Sequence, residues 1–278
     1  MIKQVQCLIT ALKAESVPLV QHYKLKRDNT FDFPFFINHG MNIALVGVGV
    51  GTKNIRSRVN GFFGSQEYDK VQFINIGIAG GNKRRTKIGQ LFLINEVMDA
   101  SSINKYYPDI LTDYTLPEGS INSVKNPIVD DQNEYDFLVD MEAYELFKIC
   151  SKLVPLHNIA ILKLVSDYMD NHVHTLDHET ISSLINKQLT KISTFIERFK
   201  LIGEMKKPLL SKVDMDWIAK NKDKYYLTTA QVGLLVNLVK RYKINNTRES
   251  LPVIKAGQPS LKLDQKNTFR DICEKLKT

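Results

Sequence analysis

The chain has little that would tie it to a metal, a disulfide frame or a membrane. Its three cysteines, Cys7, Cys150 and Cys273, are odd in number, far apart and without a CxxC or Cys/His pairing. That pattern argues against a thiolate metal site or a disulfide scaffold and for buried thiols in a reducing compartment. The six histidines form no HExxH arrangement, and His172 and His174 alternate in DNHVHTLDH as a polar loop would place them. No apolar run approaches the roughly 18–20 residues that cross a bilayer. The N-terminus passes straight into the strand-like VQCLITAL with no cleavage pattern, so no signal peptide is expected. Internal repeats and low-complexity tracts are missing too. What remains is the composition of an ordinary globular protein, 43% hydrophobic and 24% charged over 278 residues, with a cytoplasmic location expected.

The net charge of +8 is unevenly placed. Residues 1–199 hold 21 Lys+Arg against 22 Asp+Glu, whereas residues 200–278 hold 17 against 8. A near-neutral body followed by a basic segment suggests two units, 1–199 and 200–278. Only three of those 17 cations are Arg and no aromatics interleave with them, so a lysine-rich solvated surface is preferred to a nucleic-acid surface.

Through the first unit, strand and helix signals alternate. Buried strands are expected at Val5–Leu12, Asn42–Gly51, Val71–Gly81, Gly89–Ser101 and Asn158–Asp167. FLVDMEAYELFKICSKL starts as a strand and turns helical near Met141; Thr52 is expected to cap a helix, and Leu176–Phe199 to form an amphipathic one. This alternation predicts an α/β fold, a three-layer α/β/α sandwich with a mixed central sheet. After Lys200 the pattern is all helical. Thr228 or Thr229 caps a helix whose Leu234, Leu235, Leu238, Val239 and Tyr242 share a face, a polar linker follows, and a last helix lies near Gln265–Leu276. An isolated helix of this length is marginal in water, so its apolar face is expected to pack on the α/β body or a neighbouring subunit and cover a cleft edge. Trp217 and the Tyr225/Tyr226 pair fit a small helical core better than base stacking.

Ligands of open α/β sheets sit beyond the carboxyl ends of the strands. Three acids stand there: Glu15 after LITAL, Glu142 after FLVDM and Asp167 after ILKLVS. Two glycine clusters, Gly47/Gly49/Gly51 and Gly77/Gly80/Gly81, stand at further strand ends, where backbone can approach a ligand closely. Glu15 or Asp167 alone reads as a helix cap; it is the coincidence of five such positions that suggests a site. GVGVG does not match GxGxxG, so no dinucleotide site is expected.

In this order the segments ITALKAE, VGVGVGTKN, INIGIAGGNKRRTKIGQLFLINEV, VDMEAYEL and LKLVSDYMD resemble the nucleoside phosphorylase and nucleosidase superfamily. The closest likeness is to its 5′-methylthioadenosine/S-adenosylhomocysteine nucleosidase branch, and it covers most of residues 1–199. The resemblance implies cleavage of a purine-type nucleoside at its N-glycosidic bond. Asp167 would protonate the departing base, Glu15 would activate water and Glu142 would hold the ribose hydroxyls, with Met141 packed on the sugar. Asp140, Ser166, Gly49, Ile78, Ala79 and Gly80 would complete the substrate site. One carboxyl kept as acid and another as base require different surroundings. No metal or organic cofactor is implied, and a homodimer or higher homo-oligomer is.

Three departures qualify the resemblance. Asn75 stands where phosphorylases of this superfamily carry a phosphate-binding arginine, which argues for water as acceptor or for lost activity. Ile78 replaces a small hydroxyl residue. About 40 residues separate Ala100 from Met141, far fewer than in the nucleosidases, so Asn104–Tyr107, Asp109 and the loop LPEGSINSVKNP are expected to replace the missing stretch. The basic loop Asn82–Lys87 is read as a solvated turn. The alternatives are a phosphorolytic enzyme, and a non-catalytic nucleoside-binding domain joined to a nucleic-acid-binding helical module.

Overall fold

A computed structural model describes residues 4–65, 68–111, 113–130, 134–205, 210–246, 250–254 and 262–276. The chain divides into two compact units, Met1–Glu204 and Met205–Thr278. The division falls a few residues beyond 199, near the end of the helix His178–Met205.

The first unit runs β1 (Gln4–Thr10), α1 (Lys13–His22), β2 (Lys26–Arg27), β3 (Phe35–Asn38), β4 (Ile43–Gly47), α2 (Ile55–Ser65) and β5 (Lys70–Gly81). It continues with β6 (Leu91–Asp99), β7 (Lys105–Tyr106), β8 (Glu118–Ser123), β9 (Leu138–Asp140), α3 (Ala143–Cys150), β10 (Ile159–Asp167) and α4 (His178–Met205). β1 lies parallel between β4 and β5, and β10 runs parallel to β5 on its other side. β2 and β3 extend the β4 edge in antiparallel fashion. β5, at 12 residues, outlasts β1 and spends its last two, Gly80 and Gly81, pairing with β9. From β10 the pairing passes through β6, β8 and β9 back to β5, so part of the mixed sheet closes on itself.

Side chains alternate across a strand, and the two faces of the sheet bury different helices. Cys7, Ile9, Phe73 and Ile161 pack with α2 and α3 through Val59, Phe62, Leu146 and Phe147. Leu8, Ile74 and Leu162 pack with α1 and α4 through Leu19, Ile185, Ile192 and Phe195. Each fully buried Ile or Phe contributes about 1.5–3 kcal/mol. Three glutamines share the second face. Gln6 and Gln72 donate to the carbonyls of Ile196 and Phe199 at 2.9 and 2.7 Å, and Gln4 donates to that of Lys200 at 3.2 Å. Their amides are also linked to each other through Gln72 Oε1.

Several local expectations differ. α2 starts at Ile55, so Thr52 lies in the turn ahead of it and does not cap it. EGSINS, within the expected loop, is the strand β8. Asn82–Lys87 is a turn with Lys83, Arg84, Arg85 and Lys87 exposed.

The second unit holds α5 (Lys212–Lys224), α6 (Thr229–Asn245) and α7 (Lys262–Lys275). Ser211 and Thr228 each accept the backbone N–H three residues on, and Asp214 and Gln231 return the bond. α6 finds its apolar partner within its own unit. Leu235, Val239 and Tyr242 bury against Ile218, Tyr225 and Ile272, with Trp217 at the margin donating to the Pro252 carbonyl. Leu234 and Tyr226 are exposed, contrary to expectation: 234 lies about 100° round the helix from 235, and Tyr226 occupies a left-handed turn position, φ 51°.

Candidate active site

Helix α1 begins just past the end of β1. Glu15, in its first turn, folds back so that Oε2 accepts the N–H groups of Ala11 and Leu12 at 2.8 and 2.9 Å. Its Oε1 accepts Ile78 N–H, from β5, at 3.0 Å. Acids favour helix N-termini because unpaired N–H groups collect there, so the capping role is real; the bond to Ile78 shows that it is not the whole role. Gly77 makes the approach possible, since a β-carbon there would sit 2.9 Å from Glu15 Oε1.

β9 delivers Asp140, and α3 starts at Ala143, directly after Glu142. Asp140 Oδ2 accepts Ala143 N–H at 2.9 Å and the ammonium of Lys163 at 2.7 Å, while Oδ1 accepts Ser123 Oγ–H at 2.6 Å. Glu142 Oε1 accepts Gly51 N–H at 2.6 Å, tying the β4 connection to the start of α3. β10 delivers Ser166 and Asp167. In a regular strand these neighbours would face opposite sides, but a register irregularity between Val165 and Asp167 lets both reach one cleft. Ser166 Oγ donates to Asp167 Oδ2 at 2.7 Å, and Met169 N–H donates to Oδ1 at 2.8 Å. Met169 holds a left-handed backbone, φ 55°, which is uncommon outside glycine.

These groups meet in one cleft of about 260 Å³. Glu15, Glu142 and Asp167 line it together with Ile78, Ala79, Gly80, Asp140, Met141 and Ser166. The register explains the convergence: Asp167 and Val139 both pair with Gly80, from opposite sides of β5. Leu12, Val50, Pro127, Ile128, Leu176 and Ile181 supply an apolar wall.

Gly49 is the one expected site residue outside this lining. Its φ of 80° turns the chain, and its open side faces Asn54 and Arg58 instead; Val50 takes the place in the cleft. Asn75 is also absent from the lining, its amide donating to Ile9 O at 3.1 Å. Of the segments expected to replace the shortened middle, Val124 and Pro127 from LPEGSINSVKNP reach the cleft, whereas Asn104–Tyr107 and Asp109 do not.

Sequence reasoning missed Lys163. It is fully buried, and alternation in ILKLVSD gives no sign that its inward face meets carboxylates and not water. A β-carbon on Gly77 would lie 3.3 Å from its Nζ, so Lys163 and Glu15 share the space over that glycine. Burial opposes the ammonium's charge, but Asp140, Glu142 and Glu15 outweigh burial and hold its pKa above the ordinary range. Burial raises the Glu15 carboxyl, against lowering by Lys163 and its three backbone donors. Glu142 is pushed up to about 7, by burial first and by Asp140 next. One cation cannot neutralise three neighbouring carboxylates, so a proton stays on the cluster close to neutral pH. Glu142 is the carboxyl of the cluster suited to accept or give that proton. The described residues contain no group of three or more His, Cys, Asp or Glu able to hold a metal ion.

No protein-family model matches the chain. No curated protein matches it either. Solved structures do. A Helicobacter pylori MTAN mutant with 5′-methylthioadenosine in the active site is 15% identical, covering 71% of this chain and 100% of that one, with a TM-score of 0.59. Arabidopsis thaliana 5′-methylthioadenosine nucleosidase in apo form is 18% identical over 72% of this chain and 97% of that one, TM-score 0.61. An MTAN mutant from Chlamydia trachomatis bound to MTA is 20% identical over 72% and 100%, TM-score 0.58. At such identities the likeness establishes the fold.

Proposed function

We propose that the first unit hydrolyses the N-glycosidic bond of a purine-type nucleoside, releasing free base and a ribose derivative. The observation that carries this reading is the convergence of Glu15, Glu142 and Asp167, from three separate strand ends, on one cleft with an apolar wall. Breaking a C–N glycosidic bond develops negative charge on the base and positive charge on the sugar. Asp167 protonates the base; Ser166 and Met169, both bonded to its carboxyl, fix its direction. Glu142 accepts the ribose hydroxyls, and the neighbouring Met141 packs on the sugar face. Glu15 activates the attacking water, with Lys163 and three backbone donors orienting the carboxylate. The sugar's growing positive charge is met by a cluster whose carboxylates outnumber its single cation.

Water is favoured over phosphate as acceptor. The cleft lining contains no Arg or Lys among the described residues, and Asn75, at the position of the phosphorylases' arginine, is tied to the β1 backbone. The 5′-methylthioadenosine named with the neighbours above belongs, on the present reading, to the same purine nucleoside class. The deciding experiment incubates the protein with a purine nucleoside panel, with and without inorganic phosphate. Free base with free ribose, at a rate phosphate does not raise, supports the proposal. Ribose-1-phosphate identifies a phosphorylase, and no base from any nucleoside at high enzyme concentration leaves a binding domain.

A further inference from the structure

A second cleft of about 500 Å³ lies on the outer side of α1 and has the opposite chemistry. Its floor is apolar, with Val17 and Val20 from α1 and Phe36 from β3, and its charged lining is Lys13, Arg27 and Arg58 with no carboxylate. Both guanidiniums are held in place by contacts that leave donors unused. Arg58 Nη1 donates to Gly47 O at 2.7 Å, which occupies one of its five N–H groups. Arg27 lies over the Phe36 ring, 5.4 Å from its centroid, and its Nε–H reaches Asn29 at 3.3 Å. Lys13 stands exposed in the first turn of α1. Asp32, in the groove on the other side of Arg58, makes no ion pair with it.

Three cations around one concavity repel each other, and a solvated surface would scatter them or pair them with acids. Fixed guanidiniums with spare donors are suited to a carboxylate, sulfonate or phosphate, because little rotamer freedom is left to lose on binding. The floor asks for something else: a flat or aliphatic body to cover Val17, Val20 and Phe36. We infer that this cleft is a second ligand site, taking a small anion that carries an apolar or aromatic body, its head on Arg27, Arg58 and Lys13. The site is separate from the acid-lined cleft, with which it shares only Ala11.

The test uses the full chain and two probes that combine an anionic head with an aromatic body, 1-anilinonaphthalene-8-sulfonate by fluorescence and phenyl phosphate as its competitor. One saturable site is expected. It should weaken about tenfold or more in Arg27→Gln/Arg58→Gln, since a hydrogen bond to a charged group is worth about 1.5–3 kcal/mol. Lys13→Glu, which suits a helix N-terminus and leaves folding undisturbed, should also weaken it. Glu142→Gln should leave it unchanged. Equal affinity in both cleft variants, or no saturable site in the wild type, overturns the inference. Displacement by inorganic phosphate as effective as by phenyl phosphate would remove the role assigned to the apolar floor.

Discussion

The ammonium of Lys163 sits 2.7 Å from Asp140 Oδ2, with both side chains nearly closed to solvent. Among the described residues, the Lys163 ammonium is the positive charge set against the clustered carboxylates of Asp140, Glu142 and Glu15, and taking it away leaves their charge buried and uncompensated. Lys163→Met should cost about 3–5 kcal/mol at pH 7, the usual price of breaking a buried pair on one side. Urea unfolding measures it. A loss under about 1 kcal/mol would mean that the cluster discharges itself by protonation.

Glu142 gives stability a pH dependence of unusual sign for a glutamate. Its folded pKa, about 7, lies above its ordinary 4.5, so the folded protein holds a proton that the unfolded chain releases. The contribution is present in full below about pH 4.5 and is lost as pH rises through about 7. At one unit per 1.36 kcal/mol it amounts to about 3 kcal/mol at most. Urea midpoints should fall between pH 5 and pH 8 in the wild type, and by much less in Glu142→Gln. A wild-type slope equal to the variant's would place the proton on another group.

Asp167→Asn should lower glycosidic cleavage by about 10²–10⁴-fold, the ordinary worth of a general acid. The Oδ1 that accepts Met169 N–H is kept in asparagine, so the fold should persist in circular dichroism. Near-normal turnover would show that the base leaves unprotonated, or that another acid serves.

Glu15→Gln should abolish hydrolysis while nucleoside binding, read by calorimetry, survives, because Glu142 and Met141 are untouched. The amide can still accept at one oxygen but must turn its NH2 toward a backbone donor. A thermal shift of a few degrees is expected alongside. Turnover kept within a factor of about three would remove Glu15 from the chemistry, since general bases are worth far more than that.

Residues 205–278, expressed alone, should give helical circular dichroism and a cooperative melt, because Leu235, Val239, Ile218, Tyr225 and Ile272 bury one another. Thr228→Ala should lower that melt by the loss of a cap, about 0.5–2 kcal/mol. A fragment without cooperative unfolding would show that this unit depends on the first.

Period and punctuation were enough to find β1, β4, β5, β6 and β10 and the acids at the ends of β1, β9 and β10, because a buried strand is a continuous apolar run and its end is where polar residues resume. They were not enough for β8, whose EGSINS has one large apolar side chain and is held by neighbours on both sides, not by its own propensity. Lys163 failed for a related reason: a lysine in an alternating strand reads as solvent-facing, and only the fold brings Asp140 across to it. Gly49 was placed in the cleft by its company of glycines, whereas its positive φ turns the chain so that Val50 lines the cleft instead. The helical period of the second unit was legible, but which residue of Leu234 and Leu235 faces inward depended on 100° of helix rotation that the pattern alone left open.

The three glutamines on β1 and β5 act as a ratchet stop for α4. Apolar contacts between a helix and a sheet are interchangeable, so a helix held by them alone can slip along its axis at modest cost. Amide-to-carbonyl bonds at Ile196, Phe199 and Lys200 are addressed to particular residues, and a slip of one position breaks all three. Ile181, near the other end of the same helix, forms part of the cleft wall. At 1.5 Å per residue it stands about 22 Å from Ile196. The wall of the cleft is thus indexed from the far end of the helix, by glutamines that are not part of the cleft lining.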